Sequence, residues 1–157
     1  MCLLLTVNKP SVSRYQVIYF PEKEVPFSRL SEPKNFSKEM SPMDKTSVFL
    51  EFFCWEDDEI WNMETDKLLQ LSVTWLEKIG LVKWSELIEC LHAKQRNSHP
   101  VYELDYQESL DVVADYLAGF SNLICAGRSG SFKYLTLDES FAEGILAARR
   151  VLQNEKS

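Results

Sequence analysis

The sequence predicts an α+β chain in which a largely antiparallel sheet with helices comes first and a strand-loop-helix unit follows. Three observations carry this expectation. Ser47 to Trp55 alternates strictly, with Val48, Leu50, Phe52 and Cys54 set against Phe49, Glu51, Phe53 and Trp55, the period of a half-buried strand. Thr65 to Ile79, Tyr106 to Leu117 and Thr136 to Leu152 instead repeat apolar residues at three and four, the period of amphipathic helices. Between the last two, Leu123, Ile124 and Cys125 form a short apolar run closed by Gly127, which reads as a buried strand.

Taken in order, Cys2 to Val7 and Arg14 to Phe20 are β-rich runs separated by Asn8, Lys9, Pro10 and Ser11. The first unit expected is therefore an antiparallel pair. Pro21 and Pro26 bracket a connection, after which Phe27 to Ser31 alternates as a strand with Arg29 on the face opposite Leu30. Glu32 to Lys45 holds Pro33, Asn35 and Pro42 and reads as a long irregular loop. Glu51 is a carboxylate among aromatics. If its face is covered it needs a partner, for which Arg29 on a neighbouring strand is the candidate; otherwise it faces solvent.

Glu56 to Glu59 lack the alternating ligands and central glycine of a calcium loop and read as a solvated turn. Thr65 is expected to cap a helix with Leu68, Leu69, Ser72, Leu76 and Ile79 on one face and Gly80 at its end. Trp61, Trp75 and Trp84 are expected in core and rim packing. Trp84 to Ala93 suits either a short helix or a strand. Leu110, Val113, Ala114 and Leu117 define a helix stopped at Gly119, packed beside the final strand.

The last unit has chemical potential. Thr136 stands three residues before Glu139, a capping-box spacing, and the first helical turn presents free N–H groups and the positive end of its dipole. The preceding loop adds the fixed fork of Arg128, the point charge of Lys133 and the hydroxyl of Tyr134. On local physics this is an anion or carbonyl site, or a strand-loop-helix unit that binds nothing.

The 157 residues are 45% hydrophobic and 26% charged, values of a globular domain with a real core. Twenty-four acidic against seventeen basic residues leave a net charge of −7, which disfavours nucleic acid as a partner. Cys2, Cys54, Cys90 and Cys125 are widely spaced singles that do not spell a zinc site, and no metal is expected. They read as reduced thiols. Met1 to Val7 lacks the marks of a signal peptide, and no apolar run approaches the ~20 residues of a membrane span. Cytoplasmic residence is the default expectation.

The run GRSGSFKYLTLDES, residues 127–140, resembles the flavin-contacting C-terminal motif of the amine oxidase-like FAD proteins, particularly the UDP-galactopyranose mutases. EVPFSRLSEPKNF, Glu24 to Phe36, resembles the mutase segment whose arginine contacts substrate phosphate, with Arg29 in that place. DKTSVFLEF, Asp44 to Phe52, resembles the strand that follows. HPVYELDYQESL, His99 to Leu110, is more similar to protoporphyrinogen oxidase and amine oxidase-like members.

The resemblance implies FAD as cofactor of the complete protein, with Gly127, Arg128, Leu137, Asp138 and Glu139 facing the flavin. It places Arg29 and Tyr134 toward an anionic small-molecule substrate and assigns no catalytic residue. It divides the chain into a substrate-binding-like region, 1–98, and the C-terminal part of a Rossmann-type FAD-binding domain, 99–157. Such enzymes hold the pyrophosphate on a Gly-x-Gly-x-x-Gly turn. Gly80, Gly119, Gly127, Gly130 and Gly144 include no three with that spacing.

The expectation is a chain without the N-terminal half of its FAD domain, inactive and flavin-free alone, completed by that half or by a partner chain. Three functions follow. The first is a part of an amine oxidase-like oxidoreductase, the second a part of a mutase-like flavin-dependent isomerase, and the third a non-catalytic interaction domain.

Overall fold

The computed structural model describes residues 1–154, and the chain divides into two compact units, Met1–Arg96 and Asn97–Ser157. The first unit contains β1 (Cys2–Val7), β2 (Val17–Tyr19), β3 (Arg29–Ser31), β4 (Thr46–Glu51), the short helix α1 (Glu59–Asn62), α2 (Thr65–Lys78) and β5 (Leu87–Ala93). The strands form one antiparallel sheet of order β2-β3-β4-β1-β5. The second unit carries α3 (Tyr106–Ala118), the single turn α4 (Gly127–Gly130) and α5 (Leu137–Asn154), with no strand among its described residues.

The two-residue period places the core. Leu3, Leu5 and Val7 of β1, Leu30 of β3 and Val48 and Leu50 of β4 are fully buried, in one cluster with Leu68, Val73 and Leu76 of α2 and with Val82. Phe27 and Phe52 extend it edge to face, with ring centroids 6.2 Å apart. Gly80 ends α2 as expected, at φ +77°. Thr65 is the first helical residue rather than the cap, and its hydroxyl meets His92 Nδ1 at 2.8 Å. The stretch open to two readings is a short 3₁₀ turn, Trp84–Glu86, followed by strand β5.

The expected β1–β2 hairpin does not form. β1 is central, paired to β4 on one side and β5 on the other. A strand whose inward side chains are all buried belongs inside a sheet, while three-residue β2, ending in exposed Tyr19, suits an edge. The connection is also diverted. The Asn8 amide donates to the Glu86 carbonyl at 2.7 Å, and Lys9 Nζ donates to the Glu86 carboxylate at 3.1 Å, drawing the chain past β5 instead of back along β1.

Leu123 to Cys125 is also not a strand. Extended main chain becomes a strand only when a neighbour accepts and donates its ladder bonds, and none does so among the described residues. α3 therefore has no final strand to pack beside. The segment 127–130 is a helical turn rather than loop. Across the second unit only Leu135 is buried among the described residues, while apolar positions of α3 and α5 stand in solvent, Val112 at 71% and Phe141 at 66% exposure.

One buried carboxylate went unread in the sequence. Glu32, fully buried, accepts from the Val12 amide at 2.9 Å, the Ser13 amide at 2.8 Å, the Thr46 hydroxyl at 2.8 Å and Asn35 Nδ2 at 3.1 Å. Nearby, Lys34 Nζ donates to the carbonyls of Pro10, Pro42, Met43 and Lys45 at 2.6 to 3.0 Å. These two side chains pin the expected irregular loop to the β1–β2 connection.

His92 gives the fold a pH dependence. Its Nε2 is buried with no partner among the described residues. Burial first, then the charges of Lys94 and the N-terminal amine, lower its pKa from the ordinary value. An unfolded histidine takes its proton near pH 6.5 while the folded one resists, so this contribution to stability is complete above that pH. It falls away as pH drops through about 6.5 and below. The melting temperature should therefore decline between about pH 7 and pH 5, and His92→Gln should flatten that decline; an unchanged slope in the variant would place the titration elsewhere.

Candidate functional site

The stretch entering α5 holds six of the seven residues singled out in the sequence. Gly127 sits at φ +74°, a conformation that favours glycine. Its amide donates to Glu143 Oε2 at 2.7 Å, and the Ser131 hydroxyl donates to the same oxygen at 2.6 Å. Hydrogen bonds from Ser131 first, then Gly127, lower the Glu143 pKa, so the carboxylate stays charged and lashes α4 to α5. Glu143 was not read from the sequence; the signal was its place one turn after Glu139 on the same helix face.

Arg128 reaches forward along this connection. One guanidinium nitrogen donates to the Leu135 carbonyl at 2.7 Å, two residues before α5 begins, and the group lies 4.6 Å from the centre of the Tyr134 ring. A cation over an aromatic face is attracted by the ring quadrupole. Tyr134 is positioned in turn. Its amide donates to the Tyr102 hydroxyl at 2.7 Å, and His99 stacks on its ring at 5.4 Å. Tyr102 was unassigned in the sequence reading, although it lies in the HPVY run.

At the helix start, both the amide and the hydroxyl of Thr136 donate to Glu139, at 2.7 and 2.8 Å. This is the backward arm of the capping box. The hydrogen bond to the Thr136 side chain is the first cause lowering the Asp138 pKa, and that to the Thr136 backbone the first lowering Glu139. Glu139 is thus turned back on Thr136. The Leu137 amide has no acceptor among the described residues.

Arg29, the seventh residue, lies in the other unit on β3, opposite Glu51 of β4. Its guanidinium donates to both Glu51 carboxylate oxygens at 2.5 to 2.8 Å, so the partner expected for Glu51 is the one found, with the Glu51 side chain only 16% exposed. Burial lowers the Arg29 pKa, but hydrogen bonds with Tyr19 and Glu51 outweigh it and hold the guanidinium above its ordinary value. Tyr19 stands beside the pair, its hydroxyl accepting at 3.4 Å.

Among the described residues no cluster of histidine, cysteine and acidic side chains could hold a metal, and all four cysteines are free thiols. No described helix is long and apolar enough to cross a membrane.

The fold class these units define is a mixed α/β chain built on a five-stranded, open antiparallel sheet. Its architecture is similar to that in a crystal structure of reduced UDP-galactopyranose mutase, with a TM-score of 0.80 and 20% sequence identity, covering 97% of this chain and 33% of that one. At that identity the match establishes a shared fold, and this chain spans about a third of the longer protein. No family model and no curated protein sequence matches.

Proposed function

We propose that this chain is the part of an FAD-dependent flavoprotein, of the UDP-galactopyranose mutase kind, that presents the α5 entrance to the flavin pyrimidine edge. The observation that carries the reading is Arg128 held against the Leu135 carbonyl beside the unpaired Leu137 amide. The residues fit the group: a flat ring rich in carbonyl oxygens takes one N–H from Leu137 and the charge of Arg128, while Glu139 is occupied by Thr136. Bound flavin supplies redox or nucleophilic chemistry. Gly127 sets the turn that aims Arg128, and Glu143 fixes that turn.

For substrate, Arg29 of the first unit offers a guanidinium held in place by Glu51, suited to a phosphate oxygen, and the half-exposed Tyr134 of the second unit separately offers a hydroxyl. The fold match favours the isomerase-type reading, with a diphosphate-bearing sugar as substrate class. The oxidoreductase reading draws on the likeness of His99 to Leu110 to amine oxidase-like proteins. The exposed apolar helices of the second unit favour a chain whose flavin contact is weak, so that FAD is not kept through purification until an N-terminal FAD-binding half completes the site, while an added flavin still binds reversibly.

Equilibrium dialysis separates these. In the isomerase reading the chain retains uridine diphosphate, and Arg29→Ala weakens this about 10-fold or more while sparing the binding of FMN. Arg29→Ala without effect on the diphosphate removes Arg29 from substrate binding, and retention of FMN without diphosphate moves the reading to the oxidoreductase.

A further inference from the structure

The inner face of the five-stranded sheet is spent on the core, and its outer face is not uniformly polar. Register aligns the outward side chains in rows that cross the strands. One row runs Tyr19, Arg29, Glu51, Cys2 and Ala93, from β2 to β5. The next runs Val17, Ser31, Phe49, Leu4 and Leu91, and a third holds Ser47, Thr6 and Glu89. Leu91 is 57% exposed, while Leu4 and Phe49 are half-buried and belong neither to the core cluster nor to the apolar side chains packed against it. An apolar patch on β4, β1 and β5 thus adjoins the Arg29–Glu51 pair at one corner and gives way to polar residues on the far side.

Size and chemistry narrow what this patch can take. From Phe49 to Leu91 it crosses three strands, about 10 Å, far short of the ~800 Å² that one side of a stable protein interface covers. It fits the apolar part of a small molecule. The side chains of Phe49, Leu4 and Leu91 offer no donor or acceptor, so they favour hydrocarbon over a hydroxyl-bearing ring. The charge beside them fixes the other end of that molecule. Glu51 occupies Nε and Nη2 of Arg29, and Tyr19 accepts from Nη1, which carries a second hydrogen for an anionic oxygen. Diagonal neighbours across strands lie about 7 to 8 Å apart, so a group attached to that anion reaches Phe49 directly. We propose that the ligand of Arg29 is an anionic amphiphile, a phosphate or diphosphate ester whose hydrocarbon lies over Phe49, Leu4 and Leu91. This rests on the anion-binding role given to Arg29 above and narrows its substrate class: the diphosphate carries hydrocarbon on the side away from the sugar.

The test titrates the full chain, labelled at its leucine methyl groups, with octyl phosphate below its micelle-forming concentration, with methyl phosphate and with uncharged octyl glucoside. Octyl phosphate should bind at least about 10-fold more tightly than methyl phosphate, the worth of about two buried methylenes. It should also shift the Leu4 and Leu91 methyl signals together. Octyl glucoside should leave both signals in place, because it gives Arg29 no anion to hold. Leu91→Ser, a change at an exposed position, should lower the ratio of the two phosphate affinities at least about 3-fold. Equal affinities for the two phosphates, Leu4 and Leu91 signals that stay still, equal shifts with octyl glucoside, or a ratio that survives Leu91→Ser overturns the proposal. A chain that shows the preference but does not retain uridine diphosphate keeps this inference and loses the isomerase reading. One that retains uridine diphosphate through Arg29 with no preference for the octyl chain does the reverse.

Discussion

Replacing Glu32 by alanine should remove about 3 to 5 kcal/mol of stability, the largest effect of any single polar change in the first unit. Its carboxylate is the common acceptor for two backbone amides from the β1–β2 connection and for the buried Thr46 hydroxyl at the start of β4. Deleting it strips these donors of their acceptor, at about 1 to 3 kcal/mol for the buried Thr46 hydroxyl and less for each of the part-buried Val12 and Ser13 amides, and opens a cavity besides. In a unit of this size each kcal/mol corresponds to about 4 to 8 °C of melting temperature, so the loss should exceed about 12 °C.

Glu32→Gln tests the cause. One acceptor oxygen is replaced by an amide that faces the donors, so it should fall between the wild type and alanine. A glutamine variant as unstable as alanine would point to charge rather than hydrogen-bond count, and an alanine variant within about 1 kcal/mol of wild type would show that the Glu32 cluster is not a structural staple.

Arg128→Ala should weaken FMN binding about 10- to 100-fold, the worth of one charge-assisted hydrogen bond of about 1.5 to 3 kcal/mol. The substitution has a second consequence, since Arg128 also holds the Leu135 carbonyl and Leu135 is the one buried residue among the described residues of its unit. Arg128→Lys separates the two. Lysine keeps the positive charge but loses the planar fork, so it should restore part of the flavin affinity if charge near the ring matters. A lowered melting temperature in both variants with flavin affinity untouched would make Arg128 a fastener of the α4–α5 connection and nothing more.

Particular residues show why some of this was legible and some was not. The strict alternation through Thr46 to Glu51 gave the buried face of β4, and the same period put Arg29 on the face opposite Leu30, so the ion pair of Arg29 with Glu51 could be anticipated. Helix boundaries at Gly80 and Gly119 followed from local backbone chemistry. Partner choice did not. β1 and β2 are sequence neighbours but not ladder partners, because the ladder is decided by which strand must be buried on both sides.

Glu32 was opaque for a related reason. Its donors come from Val12 and Ser13, some twenty residues earlier, and no local pattern marks a glutamate as their acceptor. Leu123 to Cys125 carries a strand's composition without a strand's neighbours. In the α5 entrance, the order Gly127, Arg128, Tyr134 and Leu137 was visible, while Glu143 and Tyr102, which hold Gly127 and Tyr134, became evident only once the chain was folded.

The most direct measurement is the backbone amide spectrum of the isotope-labelled chain during titration with FMN, with inorganic phosphate as the control for its phosphate group. If the α5 entrance receives a flavin ring, the Leu137 amide and the Arg128 side-chain signals shift together with FMN, saturate, stay still with phosphate, and lose the response in Arg128→Ala. A Leu137 amide that does not move, or moves equally with phosphate alone, contradicts a flavin site at the head of α5.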